Sequence, residues 1–399
     1  MKILLLLFCP PSGTWGSLTR ILAIAEAAQK HNHEIALCAS GPLLKHLTQL
    51  GYKTFPMPEA TYFGMPKILS KVIGALSQRL TPPIKEGKSF GSMWFVYFLT
   101  GMSKYSYLKK LVAAELDAIN TFKPDFLFTE VDPAAYLTAH ITNIPIAITY
   151  SSILLSGIGS SHWKKLKNSY NKILERYQKL PIEPHDILLN NEVLKIVPSI
   201  PELENIKSDS NIIFIGSLQK SFALKADTFQ LNKNKHYVFI YVGTGSISLH
   251  SLKKVLPEVA KLIPNTEFLV GSQSITQEMK IGNVHFRSYW NAEKIIPHCD
   301  WVICHGGHNT IIQSLINTVP LIIFPGPIFE RRFNAEMVQK AGCGVFGEFS
   351  NFNAKWLCNV MSHHIQFAEK AKALGNKIIE LGGAETAIKA IEQTRVRSL

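Results

Sequence analysis

The sequence predicts an α/β chain of two domains, each built on a parallel sheet, and three stretches carry that prediction. Ile3 to Phe8 is an apolar run of strand length. It is followed by Pro10-Pro11-Ser12-Gly13-Thr14-Trp15-Gly16-Ser17, by apolar residues at helical spacing (Leu18, Ile21, Leu22, Ala25, Ala28), and by the run Glu34 to Ala39. Strand, glycine-containing loop, helix and strand form the unit of a right-handed crossover, and so of a parallel sheet. Tyr237 to Val242 repeats the opening of that unit and runs into Gly243-Thr244-Gly245-Ser246. Trp301 to Cys304 repeats it again, stopping at His305-Gly306-Gly307 before Asn309-Thr310 open a helix and Pro320 to Phe324 form the next strand.

At 399 residues the chain is long for one core, which fits two domains of ordinary size. Its 46% hydrophobic and 18% charged residues exclude a disordered chain and a polytopic membrane protein. A net charge of +13 favours anionic partners: phosphorylated small molecules or an anionic lipid surface. No nucleic-acid motif, zinc spacing or long basic tail is present, so nucleic acid is not expected as a partner. The six cysteines lack C-x-x-C pairs and read as buried thiols of a reducing compartment, which points to the cytoplasm. The apolar start at Met1 to Pro10 reads as a first buried strand rather than a leader.

Taken in order, Lys53 to Pro58 continues the strand-and-turn pattern. Met93 to Leu99, with Tyr105 and Tyr107 beyond, is too short to span a bilayer and reads as a core segment or the wall of an acceptor pocket. Pro124 to Asp132 is a strand whose carboxyl end carries Glu130 and Asp132. Carboxylates there are candidates for proton transfer, and Asp132 ahead of Pro133 is equally suited to capping the following helix. From Ser160 to Lys179, six basic residues alternate with Trp163, Leu166, Tyr170 and Ile173, the pattern of a solvated amphipathic helix or of a face for anionic lipid. The polar, proline-punctuated run through Val197 to Ser210 marks the boundary. We therefore place domains at 1–205 and 206–375, with a terminal helix at 376–399 returning to the first domain.

The central stretch is His305 to Gln313. The first N–H groups of a helix have no partners within it and carry the positive end of its dipole, so a glycine turn ahead of Asn309 and Thr310 makes an anion site.

The order of these pieces resembles the GT-B glycosyltransferases that use nucleoside-diphosphate sugars: the UDP-glycosyltransferases, the macrolide glycosyltransferases and MurG. The resemblance is carried by residues 3–39, 124–145, 212–216, 238–246 and above all 289–344. There His305-Gly-Gly-x-Asn-Thr is followed by Gln313, Pro320, Pro325, Asn334-Ala335 and Gly342-x-Gly344. It implies two Rossmann-like domains facing across a cleft and transfer of a sugar, UDP-linked, to a hydroxyl of a small-molecule or lipid-linked acceptor. The transfer would be metal-independent and inverting, with the nucleotide sugar as co-substrate and no cofactor. Gly243, Thr244 and Ser246 would contact donor phosphates, and His305 with the N–H groups of Gly307, Asn309 and Thr310 would cradle the diphosphate. Tyr289 or Trp290 would meet the base, Gln313 the ribose, and Glu330 the sugar.

Three departures are visible. Gln313 stands where relatives often have Glu, and Glu330-Arg331 where they have an Asp-Gln pair, so Arg331 is expected to meet a phosphate or carboxylate. Gly16-Ser17 falls on the Gly-His pair that supplies the base in many relatives. A serine hydroxyl is not a base at neutral pH. By elimination Glu130 or Asp132 is the expected base, with Ser17 positioning the acceptor and Arg20 touching phosphate or acceptor. A nucleotide-sugar epimerase of the same build and a catalytically silent nucleotide-sugar-binding scaffold are the rival readings. Peripheral contact with an anionic membrane is expected from the aromatic and basic segments.

Overall fold

The computed structural model describes residues 1–11, 15–77, 86–206, 211–219, 229–242 and 246–397. Two seven-stranded sheets organise them. The first is made of β1 (Lys2–Leu7), β2 (Glu34–Ala39), β3 (Lys53–Pro56), β4 (Phe126–Glu130), β5 (Ile146–Thr149), β6 (Leu194–Val197) and β7 (Ile212–Phe214). Its order is β3-β2-β1-β4-β5-β6-β7 and every pairing is parallel. Strands such as Ile3–Leu7 are apolar at every position because helices cover both faces of a parallel sheet. The composition places the domain boundary at residue 206, yet β7 pairs with β6, so the first sheet continues to Phe214. A strand that follows a polar stretch carries no local sign of which sheet it joins.

The second sheet holds β8 (His236–Tyr241), β9 (Thr266–Gly271), β10 (Met279–Ile281), β11 (Val284–Arg287), β12 (Trp301–Cys304), β13 (Leu321–Ile323) and β14 (Gly344–Phe346). Its order is β10-β11-β9-β8-β12-β13-β14, parallel except for the β10 hairpin. In both sheets the chain reverses its direction of growth at the centre, between β1 and β4 and between β8 and β12. Ligands of open α/β sheets sit just beyond the carboxyl ends of the strands at such a switch point.

The helices that frame the two switch points and their cores are α1 (Trp15–Lys30), α2 (Met93–Leu99), α3 (Tyr105–Phe122), α4 (Ala135–Thr142), α5 (Ser161–Arg176), α6 (His308–Ile316), α7 (Phe329–Lys340), α8 (His364–Glu380) and α9 (Gly383–Arg397). α9 buries Ala387, Ile388 and Ile391 in the same core as Leu18, Ile21 and Leu22 of α1, so the last helix of the chain belongs to the first domain's core. Trp163, Leu166, Tyr170 and Ile173 of α5 are buried, while Lys165 lies over the Phe98 ring and Lys167 pairs with Glu183 at 2.5 Å.

The two domains touch directly. Phe90 N–H donates to Pro327 O at 2.7 Å and Phe329 N–H to Phe90 O at 3.1 Å, a short parallel bridge just ahead of α2. Gln219 donates through Nε2 to Asn309 O at 2.8 Å. Among the described residues no helix is long and apolar enough to cross a membrane.

Candidate active site

The donor side begins where β12 ends. Gly306 has φ +86°, and a Cβ there would stand 2.8 Å from the Arg331 carbonyl oxygen; at Gly307 it would stand 2.7 Å from His305 Nε2. Only glycine makes the turn at 306, and the absence of side chains at both positions leaves the start of α6 open. Asn334 Nδ2 donates to Gly306 O at 2.8 Å and fixes the turn against α7. Gly307 is the residue ahead of α6, so the N–H groups of His308 and Asn309 open the helix with no carbonyl of that helix behind them. Thr310 differs from expectation: its N–H turns back to Gly307 O at 3.1 Å, so it belongs to the helix rather than to a ligand.

His305 faces Tyr241 O with Nδ1 at 3.3 Å, which assigns the proton of the neutral ring to Nδ1 and leaves Nε2 as a lone pair. Burial, and then the charge of Arg331, hold its pKa down at about 4. An anion bound beside Nε2 favours the protonated ring, because a lone pair repels phosphate and an N–H attracts it. Burial also lowers Arg331, against the pull of Glu330. The charge of Arg331 thus acts on a neutral His305 at the turn ahead of α6.

Two expected donor contacts are redirected. Trp290 is 4% exposed, donates through Nε1 to Val270 O at 2.9 Å and lies under the Arg287 guanidinium at 4.3 Å, so it is core. Its neighbour Tyr289 is 45% exposed, so of the two rings it is the one at the surface. Ser246 donates its hydroxyl to Phe324 O, committing the proton that was to meet phosphate. Gln313 lies one turn beyond Asn309, half-buried on α6, and Glu330 is exposed in the first turn of α7. Gly243 and Thr244 lie outside the described residues.

On the acceptor side, Glu130 ends β4 with 1% exposure. Arg20 of α1 donates through Nε to Glu130 Oε1 at 2.6 Å and pairs with the same oxygen through a terminal nitrogen. Glu130 Oε2 is buried with no hydrogen-bond partner among the described residues. Ser17 is buried one turn ahead of Arg20 on the same helix, and Gly16 precedes it against Asn309.

Asp132 takes the capping role open to it: Oδ1 accepts from Ala134 N–H at 2.7 Å, ahead of α4. Between the two carboxylates Val131 is held at φ +49°, costly for a β-branched residue, with Tyr97 Oη donating to its carbonyl at 2.7 Å. Behind Asp132 lies a partner that sequence reasoning missed. Glu115 of α3, 1% exposed, accepts from Thr138 Oγ1, and burial with Asp132 beside it raises its pKa well above the carboxylate range. Glu115 therefore keeps its proton beside Asp132, which burial raises to about 6. The signal was a lone Glu within the apolar stripe Leu108, Leu111, Val112, Ala118, Ile119 and Phe122. Among the described residues no group of three or more His, Cys, Asp or Glu is placed to hold a metal.

Two seven-stranded sheets, each with a switch point, the glycine turn and start of α6 at one and buried carboxylates at the other, define the architecture. Residues 237–391 match the glycosyltransferase family 28 C-terminal domain. The chain has the GT-B glycosyltransferase fold. The glycotransferase of kitacinnamycin superimposes with a TM-score of 0.76 at 16% identity, covering 98% of each chain. The Streptomyces sp. SF2575 glycosyltransferase SsfS6, solved with thymidine diphosphate, gives a TM-score of 0.66 at 18% identity, covering 98% of this GT-B chain and 99% of its own. NDP-glycosyltransferase YjiC of Bacillus subtilis (strain 168) is 26% identical over 102 residues, 25% of this chain. That match spans about a quarter, 26%, of the curated relative.

Proposed function

We propose that this GT-B protein is a glycosyltransferase that moves a sugar from a pyrimidine nucleoside diphosphate, UDP in the first instance, to a hydroxyl of an apolar or lipid-linked acceptor. The observation that carries this reading is the open start of α6 behind Gly306 and Gly307, with His305 and Arg331 beneath it, facing Glu130 across the cleft. The thymidine diphosphate bound by SsfS6 supports a pyrimidine diphosphate and makes TDP-sugars part of the test.

The acceptor oxygen attacks the anomeric carbon, the bond from that carbon to the diphosphate oxygen breaks, and its electron pair leaves with the diphosphate. One displacement inverts the anomeric configuration. Charge grows on the diphosphate as the bond breaks, and the N–H groups of His308 and Asn309 are already aimed where it grows, so they stabilise the transition state more than the ground state. None of these steps calls on a metal or a cofactor. The acceptor proton passes to Glu130, whose unpartnered Oε2 belongs to the carboxylate nearest the donor site; Asp132 is occupied with the cap. Ser17 positions the acceptor.

A groove of about 520 Å³ at the carboxyl edge of β1 to β3, lined by Pro10, Pro11, Ala60, Tyr62 and Lys71, is the proposed acceptor approach. Beside it Ile68, Leu69 and Val72 are each more than half exposed next to Lys67 and Lys71. That surface supports a cytoplasmic protein held peripherally at an anionic membrane. Sedimentation with anionic vesicles should bind the protein and weaken with salt; equal binding to neutral vesicles removes the electrostatic part.

The activity is tested with UDP- and TDP-sugars and a panel of apolar acceptors. Acceptor-accelerated release of nucleoside diphosphate with an inverted product supports transfer. Interconversion of the sugar supports the epimerase reading, and binding without turnover supports the scaffold.

A further inference from the structure

Arg20 belongs by sequence to the acceptor-side domain, yet its guanidinium reaches the donor side. Nη1 donates to Asn309 Oδ1 at 3.1 Å, and Asn309 in turn donates through Nδ2 to Thr19 Oγ1 at 3.1 Å. A Cβ on Gly16 would meet Asn309 Nδ2 at 3.6 Å. The first turns of α1 and α6 therefore pack against each other, and Asn309 is the second residue of α6, where the helix presents its unpaired N–H groups. The surroundings agree. The charge of Arg20 helps depress His308 at the head of α6, after burial, and Glu330 at the head of α7 acts on Arg20.

We propose that Arg20 is a catalytic residue of the donor site, supplying from the acceptor domain a charged contact to the departing diphosphate. The inference rests on the donor-site reading. Its chemistry follows from the donors that remain. A guanidinium has five N–H groups, and the bonds to Glu130 and Asn309 engage three of them, leaving one on each terminal nitrogen for phosphate oxygens. Glu130 keeps the plane of the guanidinium fixed, so no reorganisation is needed as charge develops. Because Arg20 is tied to both domains, the contact also joins closure of the cleft to readiness of the leaving group. The same pair then serves both ends of the reaction: Arg20 at the oxygen that leaves, Glu130 at the oxygen that attacks. Asn309 stays where it is, holding the guanidinium at the helix start by its side chain while its N–H faces the ligand.

The test is calorimetric binding of UDP and TDP, and of the uncharged nucleosides uridine and thymidine, to the wild type, Arg20→Met, Arg20→Lys, Glu130→Gln and the double variant Arg20→Met/Glu130→Gln. The double variant removes both charges together, so no buried carboxylate is left unpaired and the fold is kept; a thermal melt confirms it. Removing the arginine should weaken the diphosphates at least ~10-fold in both backgrounds and leave the nucleosides unchanged, with Arg20→Lys recovering only part of the loss because it lacks the planar fork. A folding defect alone would weaken nucleoside and diphosphate alike, and that result overturns the proposal. So does equal diphosphate affinity in Glu130→Gln and the double variant. If the wild type binds neither diphosphate, the donor-site reading itself fails, and this inference with it.

Discussion

The turn at residues 305–310 and the cluster around Arg20, Glu130 and Asp132 stand at equivalent places in two similar sheets, each at a switch point, and they work in different ways. The donor side is made from backbone: two glycines, the first of which admits no Cβ, and the N–H groups of a helix start. The acceptor side is made from side chains brought together from distant parts of the chain, with Arg20 and Glu130 110 positions apart and Arg20 and Asn309 289 apart. A backbone site survives sequence change as long as its glycines remain. A side-chain site can be rebuilt residue by residue, and Ser17 and Arg20 sit in the first turns of α1 where it would be.

The largest effect should separate the two carboxylates. Glu130→Gln is expected to lower kcat by roughly 10²–10⁴-fold, the usual worth of a positioned base. Asp132→Asn should chiefly reduce stability, since it weakens the cap ahead of α4. A pH–rate profile decides between them. If the rise of kcat/KM with pH lies near 6 and vanishes in Asp132→Asn, then Asp132 is the base and the assignment of Glu130 is wrong.

Next comes Gly306→Ala. The new methyl strains a backbone at φ +86° and meets the Arg331 carbonyl, shifting the helix start. Diphosphate affinity should fall roughly 100-fold, the scale of a 1 Å misplacement, while uridine affinity changes little. Equal losses for both would show that the turn shapes the whole domain rather than the anion site.

Tyr289 and Trp290 sharpen the donor side further. Tyr289→Ala should cost about tenfold in nucleotide affinity, within the roughly 1–3 kcal/mol of a base stacked on an aromatic ring, and leave the melt unchanged. Trp290→Ala should do the reverse, losing about 3–5 kcal/mol of stability as a buried aromatic. Nucleotide-dependent quenching of Trp290 with Tyr289 intact would reverse these roles.

The smallest effect is a proton. His305 is neutral in the free protein from about pH 4 upward, and a diphosphate bound beside Nε2 is expected to raise its pKa. Between those two values binding takes up a proton, so affinity weakens as pH rises. Calorimetry in two buffers of different protonation heat should show uptake, and His305→Gln should abolish it. No dependence on buffer would mean that His305 stays neutral in the complex.

The same contrast between backbone and side chains governs how much is legible in the sequence. Apolar runs such as Ile3–Leu7 and Trp301–Cys304 followed by glycine turns are local signals, and they place both central strands and the helix start. Tyr289 and Trp290 are adjacent and chemically alike, so the alternation that buries one and exposes the other needs the sheet. Ser246 reads as a phosphate contact in the sequence, whereas in the fold Phe324 O holds its proton. β7 carries no mark of its sheet. Glu115 is visible as a charge on an apolar stripe, but Asp132, its partner, lies on the next strand's far turn. Arg20 gives no sign of its reach, because a contact between domains leaves no periodicity in either.

The central claim is the place of the diphosphate, and a crystal structure of the protein with UDP or TDP tests it most directly. Phosphate oxygens are expected within hydrogen-bond distance of the His308 and Asn309 N–H groups, with His305 Nε2 and Arg20 beside them. Ordered diphosphate away from the α6 start, with the His305 to Asn309 turn untouched, would contradict it.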